Sequence, residues 1–159
     1  EAGVNEEEVL FLVIKTGKAT TISKLDWTIV SVSGTSSATS PPENLLDVST
    51  ATSWATGIGM PQNVVIDFGD AILFSGVSYA ADPVLTKDQG YPTEVQFEIS
   101  TDGVTWEDKG TFAGVKPPAV FSHSFGLTTA RYLRFTIHSV VPIFGFFHTS
   151  YIGDISLIP

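Results

Sequence analysis

At 159 residues the chain is long enough for one domain with a sizeable core and short for two, and its 43% hydrophobic against 16% charged residues mark a folding chain, not a disordered one. The formal net charge is −9, and the eight Lys and Arg form no cluster, which argues against nucleic acid or an anionic membrane surface as partner. Cysteine is absent, so disulfides and thiolate metal sites are excluded, and no apolar run approaches the ~20 residues of a membrane span, so membrane insertion is not expected.

The chain opens on Glu1 without a Met, as a processed or trimmed chain would. Residues 1–24 hold an acidic start, an apolar run Val9–Ile14 and a polar stretch Thr16–Lys24. They read as a lead-in, either an extra edge strand or the remnant of a preceding domain, with the main β-domain over 25–159. From Trp27 onward short apolar and β-branched runs follow one another: Trp27–Val32, Val64–Phe68, Ile72–Ala80, Val95–Ser100, Val120–Phe125, Tyr132–His138 and Ile152–Ile158. Gly, Pro, Ser, Asn and Asp clusters separate them and supply turn geometry. Every second residue is apolar in Val95–Ile99 and in Leu133–Ile137, as in strands with one wet face. Asp102-Gly103 signals a tight hairpin from Val95–Ser100 into Val104–Trp106, because both residues tolerate positive φ. A single helical turn is expected near Pro42–Leu46, capped by Ser40. The pattern is all-β, a sandwich or barrel, with no internal repeat.

Catalytic signatures are missing. His123, His138 and His148 share no metal-binding spacing, and His138, ending an alternating strand, reads as structural. There is no Gly-x-Ser-x-Gly elbow, and no thiol nucleophile exists. Asp and Glu fall mainly in turns or on wet strand faces, where solvation accounts for them without a glycosidase pair. Gly57-Ile58-Gly59 lacks the strand-to-helix setting of a phosphate loop. The chain is therefore read as a non-enzyme.

Five segments, in order, carry a resemblance. Asn44-Leu45-Leu46-Asp47-Val48-Ser49-Thr50-Ala51-Thr52-Ser53-Trp54 is followed by Val64-Val65-Ile66-Asp67-Phe68-Gly69, then by Ser100-Thr101-Asp102-Gly103-Val104-Thr105-Trp106. Arg131-Tyr132-Leu133-Arg134 and Ile152-Gly153-Asp154-Ile155 complete the set. Together they resemble the discoidin family, the coagulation-factor C-type domain that overlaps carbohydrate-binding module family 32. The resemblance implies a jelly-roll-like β-sandwich with its loops gathered at one end. Independent physical roles are open to the same residues: Trp54 and Trp106 suit plugging a sandwich edge, with the indole N–H on a carbonyl. Arg131 and Arg134, three apart on one strand, point to opposite faces, and one can pair with Asp67.

The resemblance also implies a structural calcium ion near Asn44–Trp54. The matching positions are Asp47, Thr52 and Asp154, with backbone carbonyls of Leu45 and Thr52 completing an oxygen shell. Val48 and Ser49 depart from the family's Gly and second Asp, and the plain alternative is a loop in which Asp47 and Thr52 cap local N–H groups. For a glycan, relatives use an aromatic platform and polar partners at the loop end. Two irregular stretches supply candidates here: Asp82, Lys87, Asp88 and Tyr91 in Asp82–Thr93, and Phe146, Phe147 and His148 in Pro142–Ser150, where Phe144 is a third ring. One or two of these rings are expected to fold back into the core. The resulting expectation is a glycan-binding module, extracellular or on a cell surface, with its signal or anchor outside this chain. Two alternatives remain: an adhesion module using the same loops on a protein, and an accessory domain of a glycosidase.

Overall fold

The two longest strands govern the architecture. The computed structural model describes residues 21–49 and 51–159, so the strand expected at Val9–Ile14 lies outside the described residues. Seven strands follow: β1 (Thr28–Val32), β2 (Trp54–Ala55), β3 (Gln62–Ala81), β4 (Pro92–Ser100), β5 (Glu107–Ala113), β6 (Phe121–Val140) and β7 (Tyr151–Ile158). All pairings are antiparallel, in the order β2-β7-β3-β6-β4-β5, with β1 on β3.

Two pairs of runs that the sequence presents as separate strands are single strands of twenty residues, β3 and β6. Their ladder breaks register between Asp67 and Ile72, where Gly69 takes a φ of +84°, and β6 carries Gly126 at +87°. At this bend the sheet folds over itself. One layer holds β1, the first half of β3, the second half of β6, β4 and β5; the other holds β2, β7 and the remaining halves. The result is the expected all-β sandwich.

Alternation fixes what lies between the layers. Val64, Ile66 and Phe68 point inward from β3, and Leu133, Phe135 and Ile137 from β6. Tyr79 in one layer reaches Phe135 and Phe97 in the other, with ring centroids 5.2 and 6.4 Å apart. Trp54 is fully buried and donates its indole N–H to the Gly34 carbonyl at 3.2 Å. Asp67 receives a bidentate Arg131 at 2.9 Å on each oxygen, and that guanidinium holds the carboxyl below the usual carboxylate range. Arg134 makes the equivalent pair with Glu98 at 2.6 Å, its guanidinium lying 4.4 Å from the Trp106 ring centroid. His138 hydrogen-bonds Gln96 at 2.8 Å.

Two local expectations need correction. The Pro42–Leu45 turn is a 3₁₀ helix with Pro41 at its N-cap and no side-chain cap, so Ser40 does not cap it; the Ser40 carbonyl accepts from Ala55 N–H instead. Val104–Trp106 is not a strand, because the Asp102 carboxylate accepts from the N–H groups of Val104 and Thr105 at 2.8 Å and from the Ser100 hydroxyl at 2.9 Å. Those bonds curl the segment into a wider turn and hold the Asp102 carboxyl at about 2, and pairing resumes only at Glu107.

Candidate ligand-binding face

Because β3 and β6 double back, three connections meet at one end: 56–61, 82–91 and 141–150. The third is bonded to both others. His148 offers its carbonyl to Gly59 N–H at 2.8 Å, and Gln89 Oε1 accepts from Phe144 N–H at 3.0 Å. Gly90 N–H donates to the Val141 carbonyl at 2.6 Å, and Val141 N–H to that of Tyr91 at 3.1 Å. The two stretches named from sequence are therefore joined into one face.

The aromatic segment is a small hairpin. Ile143 and Phe147 exchange backbone hydrogen bonds at 2.8 and 3.0 Å, closing a loop in which Phe144 takes a φ of +53° and Gly145 of +81°. Positive φ is natural for Gly145 but strained for a bulky residue such as Phe144. All three rings stand outward: Phe144 is 73% exposed, Phe146 65% and Phe147 41%. No ring folds back into the core, contrary to expectation. Ile143 takes the inward position in their place, against Gly90, where a Cβ would lie 3.0 Å from its Cδ1 and Cγ1. Phe146 and Phe147 contact each other at 4.4 Å between centroids. Ile58, on the neighbouring connection, is 66% exposed.

Polar groups stand on the same connections. Lys87, Asp88 and His148 are exposed, and Asp88 pairs with Lys116 at 3.0 Å, which lowers its carboxyl below the ordinary range. Tyr91 is half-buried with its ring packed on the core. Asp82 stands apart: it is buried, and its Oδ1 accepts from the N–H groups of Val84 and Leu85 at 2.8 and 2.9 Å. It shapes its own loop from within. Gln89, carried by the stretch read from sequence, fixes the loops, whereas sequence reasoning missed Gly90, Ile143 and Lys116, whose part is to pack beneath the loops or pair across them. Only the positive-φ requirement at Gly90 leaves a trace in sequence, as a Gly before Tyr-Pro.

The four residues linked to a cation divide into two pairs. Asp47 accepts from Thr52 Oγ1 at 2.6 Å and Ser49 N–H at 3.0 Å. Asp154 accepts from the Ser156 hydroxyl at 2.9 Å and from the Lys24 ammonium, which also donates to the Leu45 carbonyl at 3.4 Å. Among the described residues no group of three or more His, Cys, Asp or Glu is placed to hold a metal ion.

Comparison with known proteins places this geometry in context. No curated protein sequence matches the chain. Among solved structures, the C-terminal domain of a chitobiase from Bacteroides fragilis superposes with a TM-score of 0.71 at 23% identity, over 86% of this chain and 95% of that one. The family 32 carbohydrate-binding module of Clostridium perfringens NanJ, solved with galactose, gives 0.74 at 16% identity, over 87% and 97%. A Ruminococcus gnavus GH29 fucosidase, solved with fucose, gives 0.70 at 23% identity, over 91% of this chain but 28% of that enzyme. These likenesses establish the shared fold. The F5/8 type C domain model matches residues 19–146, well over half of the sequence, and the chain belongs to that family.

Proposed function

We propose that this domain is a non-catalytic carbohydrate-binding module that captures glycans through the face built by 56–61, 82–91 and 141–150. One observation carries the reading: a strained hairpin holds three Phe rings in solvent, and Lys87, Asp88 and His148 stand exposed on the same hydrogen-bonded connections. Exposed rings offer a platform for sugar C–H faces, while the polar groups around them suit hydroxyls. Strained backbone at a bulky residue persists only where its surroundings impose it, and it concentrates at ligand-contacting sites. Structural neighbours solved with galactose or with GalNAc-β-1,3-galactose support a glycan as the ligand class. The match to about a quarter of a fucosidase chain supports an accessory role beside a glycosidase.

A second reading has its own observation. Phe144, Phe146 and Ile58 all stand exposed, apolar surface that an adhesion module gripping a protein would also present. A glycan array on the isolated chain separates the two. The glycan reading expects retention of specific sugars, lost in Phe146→Ala and Phe147→Ala while the variants keep the parent melting temperature. Removing a stacking ring costs roughly 1–3 kcal/mol. At about 1.4 kcal/mol per decade, that is a roughly 5- to 150-fold weaker interaction. An array silent for the parent chain, or two folded variants that bind as well as the parent, refutes it.

A further inference from the structure

We propose that the Lys24 ammonium is the resident cation of the 3₁₀-turn region, standing where a bound metal ion would otherwise neutralise Asp154, so that the sandwich is complete without calcium. The Lys24 side chain is 8% exposed, and a buried ammonium is tolerated only with partners that replace its water. It has such partners: a carboxylate oxygen of Asp154 in β7, the Leu45 carbonyl at the end of the 3₁₀ turn, and the face of Trp27, 5.7 Å to the centroid. The backbone at Lys24 is set by its own turn, its carbonyl accepting from Trp27 N–H at 3.1 Å.

That shell suits an ammonium and not a calcium ion. Calcium takes six to eight oxygens at about 2.3–2.6 Å, whereas among the described residues one carboxylate oxygen, one carbonyl and one aromatic face meet at the Lys24 ammonium. Among the described residues, the two carboxylates that a calcium shell would recruit already hold other partners. Asp154 also accepts from Ser156, and Asp47 divides its two oxygens between Ser49 N–H and Thr52 Oγ1. A tethered charge differs from a dissolved one in that its occupancy depends on no ion concentration. It ties the approach to β1, the 3₁₀ turn and β7 into one unit, which are elements far apart along the chain.

The test is thermal melting of the full chain in millimolar calcium and in chelator, together with Lys24→Met, Asp154→Asn and the double variant. Lys24→Met keeps the aliphatic stem and removes the charge. The wild type is expected to melt at one temperature in both solutions, since an ion that does not bind the native state cannot shift its stability. Lys24→Met is expected to melt roughly 5–10 °C lower, the consequence of leaving a half-buried carboxylate unpaired in a domain of this size. In the Asp154→Asn background the same change should cost much less, because the pair is already broken. A wild-type melting temperature raised by calcium overturns the proposal, and this arm decides the matter even if Lys24→Met fails to fold. Equal losses for Lys24→Met in both backgrounds overturn it as well.

Discussion

Gly90→Ala tests whether the loop end is a built platform or a chance gathering of rings. Gly90 takes a φ of +74°, and a methyl group there meets Ile143 Cδ1 and Cγ1 at 3.0 Å. The backbone cost of holding an L-residue in the left-handed region is about 1–2 kcal/mol. In a domain of this size that lowers the melting temperature by about 2–8 °C. The contact adds a second effect, because Ile143 carries the hairpin that presents Phe144, Phe146 and Phe147, and it must move. Gly126→Ala supplies the control: its φ is +87°, nothing lies within 4 Å of the added carbon, and it sits in the bend of β6 away from these loops. Both variants should melt lower than the parent. Only Gly90→Ala should lose glycan retention, although Gly90 itself is buried beneath the face. Calorimetric melting and affinity electrophoresis on the same preparations read both quantities. Full retention by Gly90→Ala, or an equal loss by Gly126→Ala, refutes the idea that Ile143 positions the rings.

Two further outcomes concern the fold. The Asp102 carboxyl is held at about 2 by the N–H groups of Thr105 and Val104 and by Ser100; a depressed folded value means stabilisation present above the ordinary carboxylate range and lost as pH falls from about 4 through about 2. Asp102→Asn keeps one acceptor oxygen and cannot titrate, so its melting temperature should lie below the parent's at neutral pH and converge on it over that acidic window. Trp54→Ala empties a fully buried site and orphans the Gly34 carbonyl, and it should cost roughly 3–5 kcal/mol in urea unfolding.

The fold was legible where alternation is clean. Val95–Ile99 and Leu133–Ile137 face the core on alternate residues as read, and the Arg131–Asp67 pair forms. The continuity of β3 and β6 was not legible, because Gly69, Asp70 and Ala71 are exposed and carry turn chemistry while hydrogen bonding resumes just beyond them. β5 was missed for a related reason. Glu107-Asp108-Lys109-Gly110 has the charged composition of an edge strand, which discourages pairing with other chains and hides the strand from a hydrophobicity pattern. At the ligand face, sequence located the two stretches but misjudged the rings, since a Phe in a loop is expected to turn inward unless something else fills that place. Ile143 fills it. Lys24 went unnoticed because a lysine in a polar stretch carries no sign that its ammonium is enclosed.

A sheet that folds over on two long strands also constrains how the chain can assemble. Trp54 pairs with Ile152, Gln62 with Ile137 and Thr28 with Asp67, so the last strand is needed to cover the second. Little of this hydrogen bonding is local, and each non-local closure costs loop entropy before packing repays it. During synthesis the sandwich therefore cannot close until β7 has left the ribosome, and until then the apolar faces of β3 and β6 stand open to a chaperone.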